Sequence, residues 1–178
     1  MSAHFQSSGP RSNAYSESKF THWTAYDPFF AEARAALKRY DERISVKPAF
    51  PRVVVLKPQF PDFIHACKRA ELVAKLHRMA PASLTALRAV FLLAGTRKQE
   101  NSWWSKLGCY GMYWKSCVFL CAHPFRLPHG YSLDHLRNFY LEDVLVHEVA
   151  HHVDRGRRVN SKTKESFAHA FVQQQLND

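Results

Sequence analysis

The sequence lacks any apolar run long enough to cross a bilayer. The longest runs, residues 89–94 and 117–122, are far shorter than the roughly 20 residues that a spanning helix needs. Residues 1–26 also lack the apolar core of a signal peptide and are rich in serine and other polar groups, so we expect a flexible polar leader before a single domain at 27–178. These absences predict a cytoplasmic globular protein, with non-classical export left open.

Cysteine is scarce, and acidic residues are outnumbered by basic ones. The four cysteines come without a secretory signal, which favours reduced thiols, although a disulfide across a hairpin stays open. They are Cys67, Cys109, Cys117 and Cys121. The formal net charge is +10 and the isoelectric point is near 9.7, which indicates attraction to nucleic acid or anionic surfaces. The basic residues are dispersed, however, and dispersed charge is typical of a solvated surface.

One motif carries most of the chemistry: His147, Glu148 and His151 form a His-Glu-x-x-His pattern. On a helix, residues four apart lie on one face about 6 Å apart, so two imidazoles can hold one Zn²⁺ from the same side. Glu148 is then placed to take a proton from a zinc-bound water. Apolar residues surround the motif and no proline interrupts the chain between Tyr131 and Gln175, which predicts a buried helix. Buried His and Glu side chains are costly unless paired or ligating, which favours a metal site.

A catalytic zinc site normally takes three protein ligands, so a third must lie elsewhere. Asp154 shares the helical face, but it lies about 10 Å along the axis from His147, which suits a partner that orients an imidazole or a contact at the helix end. A ligand after a glycine bend would fall at Arg157, which cannot bind a metal, and this excludes the metzincin arrangement. The remaining candidate is Glu165.

Glu165 falls at the start of a second predicted helix, residues 164–175. Gly156 is a helix stop, and the helix can be capped by Asn160, Ser161 or Thr163. A negative charge in the first turn of a helix is electrostatically favourable.

Residues 165–171, Glu-Ser-Phe-Ala-His-Ala-Phe, resemble the second zinc-binding helix of the gluzincin metallopeptidases. The resemblance covers about residues 136–172. It implies that His147, His151 and Glu165 bind zinc and that Glu148 is the general base.

Three positions around this motif call for separate interpretation. Asp154 is similar to an acidic position of several gluzincins. His169 departs from the family, which often has an acidic residue there, and it would hold a water or replace Glu165 as the ligand. His152 points about 100° away from His151 around the helix, which predicts a packed or hydrogen-bonded side chain. The group that stabilises the oxyanion stays open among Arg155, Arg157, Arg158, Tyr110, Tyr113 and Tyr131.

The remaining patterns predict the elements before the motif. A helix is expected from Asp27-Pro28 to residue 42, a strand at 52–57, a helix at 61–79, and strands at 88–94, 109–114 and 116–122. Val-Phe-Leu at 118–120 favours a strand over a metal cluster of Cys117, Cys121 and His123. The order of elements predicts an α+β fold with helices against one face of a small, mostly antiparallel sheet.

This arrangement is similar to the minimal zincin scaffold, in which an active-site helix is followed by a ligand helix. The resemblance implies an edge strand that binds an extended peptide, and residues 109–114 are our candidate for it.

The leading hypothesis is a zinc-dependent hydrolase that acts on proteins or peptides. Two alternatives stay open. One is a basic nucleic-acid-associated protein with a structural or vestigial zinc site, suggested by the charge and by the run at 155–158. The other is a non-catalytic interaction or effector protein that engages a partner through Trp103, Trp104 and the leader. The oligomeric state and the choice between endopeptidase and exopeptidase are not specified.

Overall fold

The computed structural model describes residues 28–44, 48–58, 60–61, 63–96, 110–124, 132–157 and 159–177. Expectations for the leader at 1–26 lie outside these residues, as do those for Asp27, Trp103, Trp104, Cys109, Tyr131 and Arg158. The first half of the chain contains helix α1 (Pro28–Arg43), strands β1 (Arg52–Val55) and β2 (Phe63–Ile64), helix α2 (Arg69–Arg78), a 3₁₀ turn (Pro81–Leu84) and strand β3 (Ala89–Leu92). Three more strands follow: β4 (Gly111–Trp114), β5 (Cys117–Leu120) and β6 (His123–Pro124). The chain then forms helix α3 (Leu133–Asn138), a π-helical segment (Phe139–Val144), and helices α4 (Leu145–Val153) and α5 (Ser161–Asn177).

Four strands form a mixed sheet in the order β1-β3-β5-β4, which confirms the α+β class. The prediction of a mostly antiparallel sheet was wrong, because β1 with β3 and β3 with β5 run parallel and β4 alone pairs antiparallel among the described strands of this sheet. Parallel neighbours need a long connection, and the chain between β1 and β3 contains β2, α2 and the 3₁₀ turn. Strand β4 lies at one edge, as expected for residues 109–114.

Helices cover both faces of this sheet, so the expectation of helices on one face was also wrong. Alternate residues of β3 and β5 point to opposite sides, and every residue of both strands is buried. The cluster that includes α1 takes Ala89, Phe91, Cys117 and Phe119. The cluster that includes α2 and α4 takes Val90, Leu92, Val118 and Leu120. Continuous apolar runs without alternation are typical of strands covered on both sides.

The predicted hairpin of β4 and β5 is confirmed, although its turn has an unusual sequence. Lys115 and Ser116 join the strands with φ angles of 48° and 58°. Two left-handed residues are the geometry of a type I′ turn, whose twist matches that of the strands. The Asn-Gly signal of such turns is missing here. The Lys115 ammonium lies 4.9 Å from the ring centre of Trp114, so a cation–π contact accompanies the turn.

The helix predicted at residues 61–79 begins later than expected. It starts at Arg69 rather than at Pro61, and Phe63 and Ile64 pair instead with β6 in a separate two-stranded sheet. The start signal is a capping box, in which the Lys68 backbone N–H donates to the Glu71 carboxylate at 2.6 Å. The helix predicted from Asp27-Pro28 is confirmed as α1.

The helix that carries the motif is interrupted by the π-helical segment between α3 and α4. A π turn changes the direction of all later side chains relative to an unbroken α-helix, and such segments are frequent at functional sites. Tyr140 in this segment is fully buried and donates a hydrogen bond to the Cys121 carbonyl at 3.0 Å. Glu142 forms an ion pair with the buried Lys75 of α2. These contacts anchor the chain against neighbouring elements just before the motif.

Helix α5 follows α4 after a turn that contains Gly156, as predicted. Among the three capping candidates, Asn160 is supported because its Oδ1 accepts a hydrogen bond from the Thr163 backbone N–H at 2.9 Å. Within the described residues, no helix is long and apolar enough to cross a membrane.

Candidate metal centre

Helices α4 and α5 pack against each other and bring the two parts of the motif together. Ala168 and Val172 are the buried residues of α5, and Val172 joins the same apolar cluster as Val146 and Val149 of α4. Because α5 begins at Ser161 rather than at the predicted residue 164, Glu165 lies in its second turn, and the prediction of an anion in the first turn was wrong. The packing of the two helices turns this part of α5 toward the histidines of α4.

Donor atoms of the three predicted ligands converge at one point. The Nε2 atom of His147 lies 3.1 Å from Nε2 of His151 and 3.4 Å from Oε2 of Glu165. Nε2 of His151 lies 3.6 Å from Oε1 of Glu165. The two imidazole nitrogens therefore lie close to each other, and each lies close to a different oxygen of the Glu165 carboxylate.

Each of these three separations is close to the distance between two donors of a tetrahedral zinc site. With metal–ligand bonds of roughly 2.0–2.1 Å, donors of a tetrahedral site lie roughly 3.3 Å apart. Both carboxylate oxygens of Glu165 are shielded from solvent and have no hydrogen-bond partner among the described residues. A shielded carboxylate whose near neighbours are two imidazole nitrogens at 3.4 and 3.6 Å is incompletely satisfied, and a cation shared with the two imidazoles would satisfy all three side chains. The residues present therefore fit a divalent cation.

The electrostatics of the two imidazoles differ. Burial, with the neighbouring His147, lowers the pKa of His151 to about 4, so this imidazole is neutral, which is the form that binds metals. Burial also acts to lower the pKa of His147, but Glu165, Glu148 and Asp143 outweigh it and raise the pKa. Positive charge is thus favoured where the three carboxylates surround His147, and a bound cation would supply it.

Glu148 is buried beside the donor atoms. Burial raises the pKa of this carboxyl to about 7, with a contribution from Glu165, while His147 and a backbone hydrogen bond with Tyr113 act to lower it. A carboxyl that titrates near neutral pH is suited to accept a proton and to return it. Because Tyr113 belongs to β4, the side chain of Glu148 lies between its own helix, α4, and the edge strand.

Gly111 on β4 makes room for Glu148, and the sequence prediction missed this role. A Cβ atom at position 111 would lie 2.7 Å from Val144 Cγ1, closer than real contacts allow, and 3.1 Å from Glu148 Cγ, tighter than most real contacts. Glycine inside a strand signals a close approach by another group, and this is the sequence signal that could have identified the role.

Asp143 is a second residue that sequence reasoning missed. Burial raises the pKa of this carboxyl, followed by the neighbouring Glu142, whereas His135 and His147 act to lower it. Asp143 lies one helical turn before His147, and this spacing from the first histidine is the sequence signal that could have identified it.

The two alternative ligand candidates have different surroundings. His169 lies close to the site, with its ring centre 5.2 Å from that of His147. Asp154 is buried at the C-terminal end of α4, and its Oδ1 lies 3.2 Å from Nε of Arg157. This is a contact at the helix end, one of the two roles expected for Asp154.

His152 is packed and hydrogen-bonded, as expected. Its Nε2 lies 2.9 Å from the Thr85 carbonyl and its Nδ1 lies 3.2 Å from the Tyr113 hydroxyl. Burial lowers the pKa of His152, so the neutral ring can donate to the carbonyl and accept from the hydroxyl. The Tyr113 hydroxyl is therefore engaged with His152.

Arginines of the basic run make contacts within the chain. Arg155 donates to the His152 carbonyl at 2.8 Å, and Arg157 bridges Asp154 and the ring of Phe167. These contacts leave the choice of an oxyanion-stabilising group open.

The described cysteines are buried in the core and form no disulfide with one another. They are Cys67, Cys117 and Cys121. Burial raises the pKa of Cys67 and Cys117 to about 12, so both are protonated and poor metal ligands. Among the described residues, the histidines and the carboxylate that could together hold a metal ion lie on α4 and α5. Within the same residues, Cys117, Cys121 and His123 do not form such a group.

No protein-family model, curated protein or solved structure matches the chain. The resemblance to gluzincins therefore depends on the motif residues alone.

Proposed function

We propose that the protein is a zinc-dependent hydrolase that cleaves peptide bonds, as gluzincin metallopeptidases do. The observation that carries this proposal is the convergence of donor atoms from His147, His151 and Glu165, with separations of 3.1, 3.4 and 3.6 Å. When bound there, Zn²⁺ supplies a Lewis acid that makes water more acidic and polarises a carbonyl group.

Glu148 is the proposed general base. Its carboxylate accepts the proton of the attacking water and, as a carboxylic acid, returns that proton to the leaving amine. A pKa of about 7 means that both forms are accessible at neutral pH. The hydrogen bond with the Tyr113 backbone holds the carboxyl in place between α4 and β4.

A peptide is the proposed substrate because the site adjoins a strand edge. Strand β4 is the last strand of the described sheet on that side, and Glu148 contacts both its Gly111 and its Tyr113. An extended peptide that adds to a strand edge forms main-chain hydrogen bonds irrespective of its sequence. Its scissile bond would then lie within reach of Glu148.

The test compares hydrolysis of a fluorogenic peptide library by the parent, by Glu148→Gln and by Glu42→Gln, an exposed control on α1. We expect chelation to abolish cleavage and Zn²⁺ to restore it. Glu148→Gln should reduce kcat about 10²–10⁴-fold, the usual range for loss of a general base, while its zinc content stays that of the parent. A Glu148→Gln protein as active as Glu42→Gln would contradict the proposal.

A further inference from the structure

A fourth donor lies beside the proposed metal centre. His169 follows Glu165 by one turn of α5, so the two side chains share a face of that helix. One donor atom each of His147, Glu165 and His169 lie within 4.8 Å of one another, a group that does not include His151. The proposed hydrolysis gives His169 no role, so its position beside the ligands needs another explanation.

We propose that His169 is a fourth protein ligand, which closes the metal centre in the resting protein. This inference rests on the proposed function, because it needs a cation held by His147, His151 and Glu165. Zinc sites with four protein ligands are closed, whereas sites with three keep a position for water or substrate. Two donors from α4 and two from α5 would then hold the cation between the helices.

His169 is also the donor best able to leave. Its side chain is exposed, whereas the side chains of His147 and His151 are 9% and 6% exposed. Exposed side chains change rotamer in picoseconds to nanoseconds without disturbing the core. His169 would therefore control access to the centre, and a substrate or small ligand would compete with its imidazole for one position.

Cobalt binding tests this proposal independently of activity. The metal-free protein is titrated with Co²⁺, whose visible absorption depends on the number and type of ligands, for the parent, His169→Ala and His77→Ala. His77 is an exposed histidine on α2 that stacks on Phe50, and it serves as the control. We expect His77→Ala to equal the parent. His169→Ala should bind one Co²⁺ on the order of tenfold more weakly, with an altered spectrum that added imidazole restores.

The outcomes separate this proposal from the proposed function. A His169→Ala protein with the affinity and spectrum of the parent would overturn the fourth ligand and leave the three-ligand site intact. A parent that binds no stoichiometric Co²⁺ would remove the metal centre and this proposal with it. His169→Gln provides a second variant that keeps a polar side chain on α5, and it should show the same loss as His169→Ala.

Discussion

The two faces of the sheet contain different chemistry. Under α1, the core is built from apolar and aromatic side chains, with Phe91 stacked on Phe119 at 4.8 Å and edge-on to Tyr40 at 5.5 Å. On the opposite face, five of the eight buried polar residues lie on α4 or at its end. They are His147, Glu148, His151, His152 and Asp154.

On one face of the sheet apolar packing stabilises the fold, and on the other face α4 carries the side chains of the proposed metal centre. Apolar burial stabilises a fold without further conditions, whereas buried imidazoles and carboxylates reduce stability unless partners or a cation compensate them. Among the five, His152 has both ring nitrogens engaged by hydrogen bonds, one with the Thr85 carbonyl and one with the Tyr113 hydroxyl. The concentration of such groups on one helix supports the proposed metal centre at the α4 face.

The largest effect on stability is expected from Phe91→Ala, which removes a fully buried ring on the α1 face. We expect the free energy of unfolding to fall by about 3–5 kcal/mol, from lost burial and a residual cavity. The zinc content per folded molecule should not change, because the ring belongs to the other face. Urea denaturation measures the effect, and Leu133→Ala, at a residue 56% exposed, should change stability by less than about 0.5 kcal/mol. Equal losses in the two variants would contradict the comparison.

A smaller effect that acts on the site is expected from Gly111→Ala. The added methyl group would collide with Val144 and Glu148, which should destabilise the protein by about 1–3 kcal/mol and displace the carboxyl. Kinetic and urea measurements should show a loss of kcat beyond the loss of folded protein.

Gly156→Ala provides the matched control, because a Cβ at position 156 would meet nothing within 4 Å. If the two alanine variants have the same kcat, Gly111 does not make room for Glu148.

The smallest effect is expected from Asn160→Ala, which removes the cap of α5. Loss of an N-cap hydrogen bond should reduce the free energy of unfolding by about 1 kcal/mol. Because α5 carries Glu165, the affinity for zinc should also fall, as competition with a chromophoric chelator can measure. Ser166→Ala, an exposed position on the same helix, should leave zinc affinity unchanged, and an equal fall in both variants would refute a specific role for the cap.

Local patterns in the sequence predicted the elements that carry the site. The spacing of His147 and His151, the stop near Gly156 and the anion at Glu165 each depend on residues a few positions apart. The resulting prediction of two neighbouring helices is confirmed. Strand direction could not be predicted in the same way, because it depends on how the chain between β1 and β3 crosses the sheet. The roles of Gly111 and Asp143 were missed because they arise from contacts around the motif.

The metal content of protein purified without chelators tests the central claim most directly. We predict one zinc per chain for the parent and almost none for a folded His147→Ala/His151→Ala double variant, because both imidazole donors are then lost. Mass spectrometry with inductively coupled plasma gives the stoichiometry, and circular dichroism verifies folding. A parent without stoichiometric metal, or a double variant that retains it, would contradict the account.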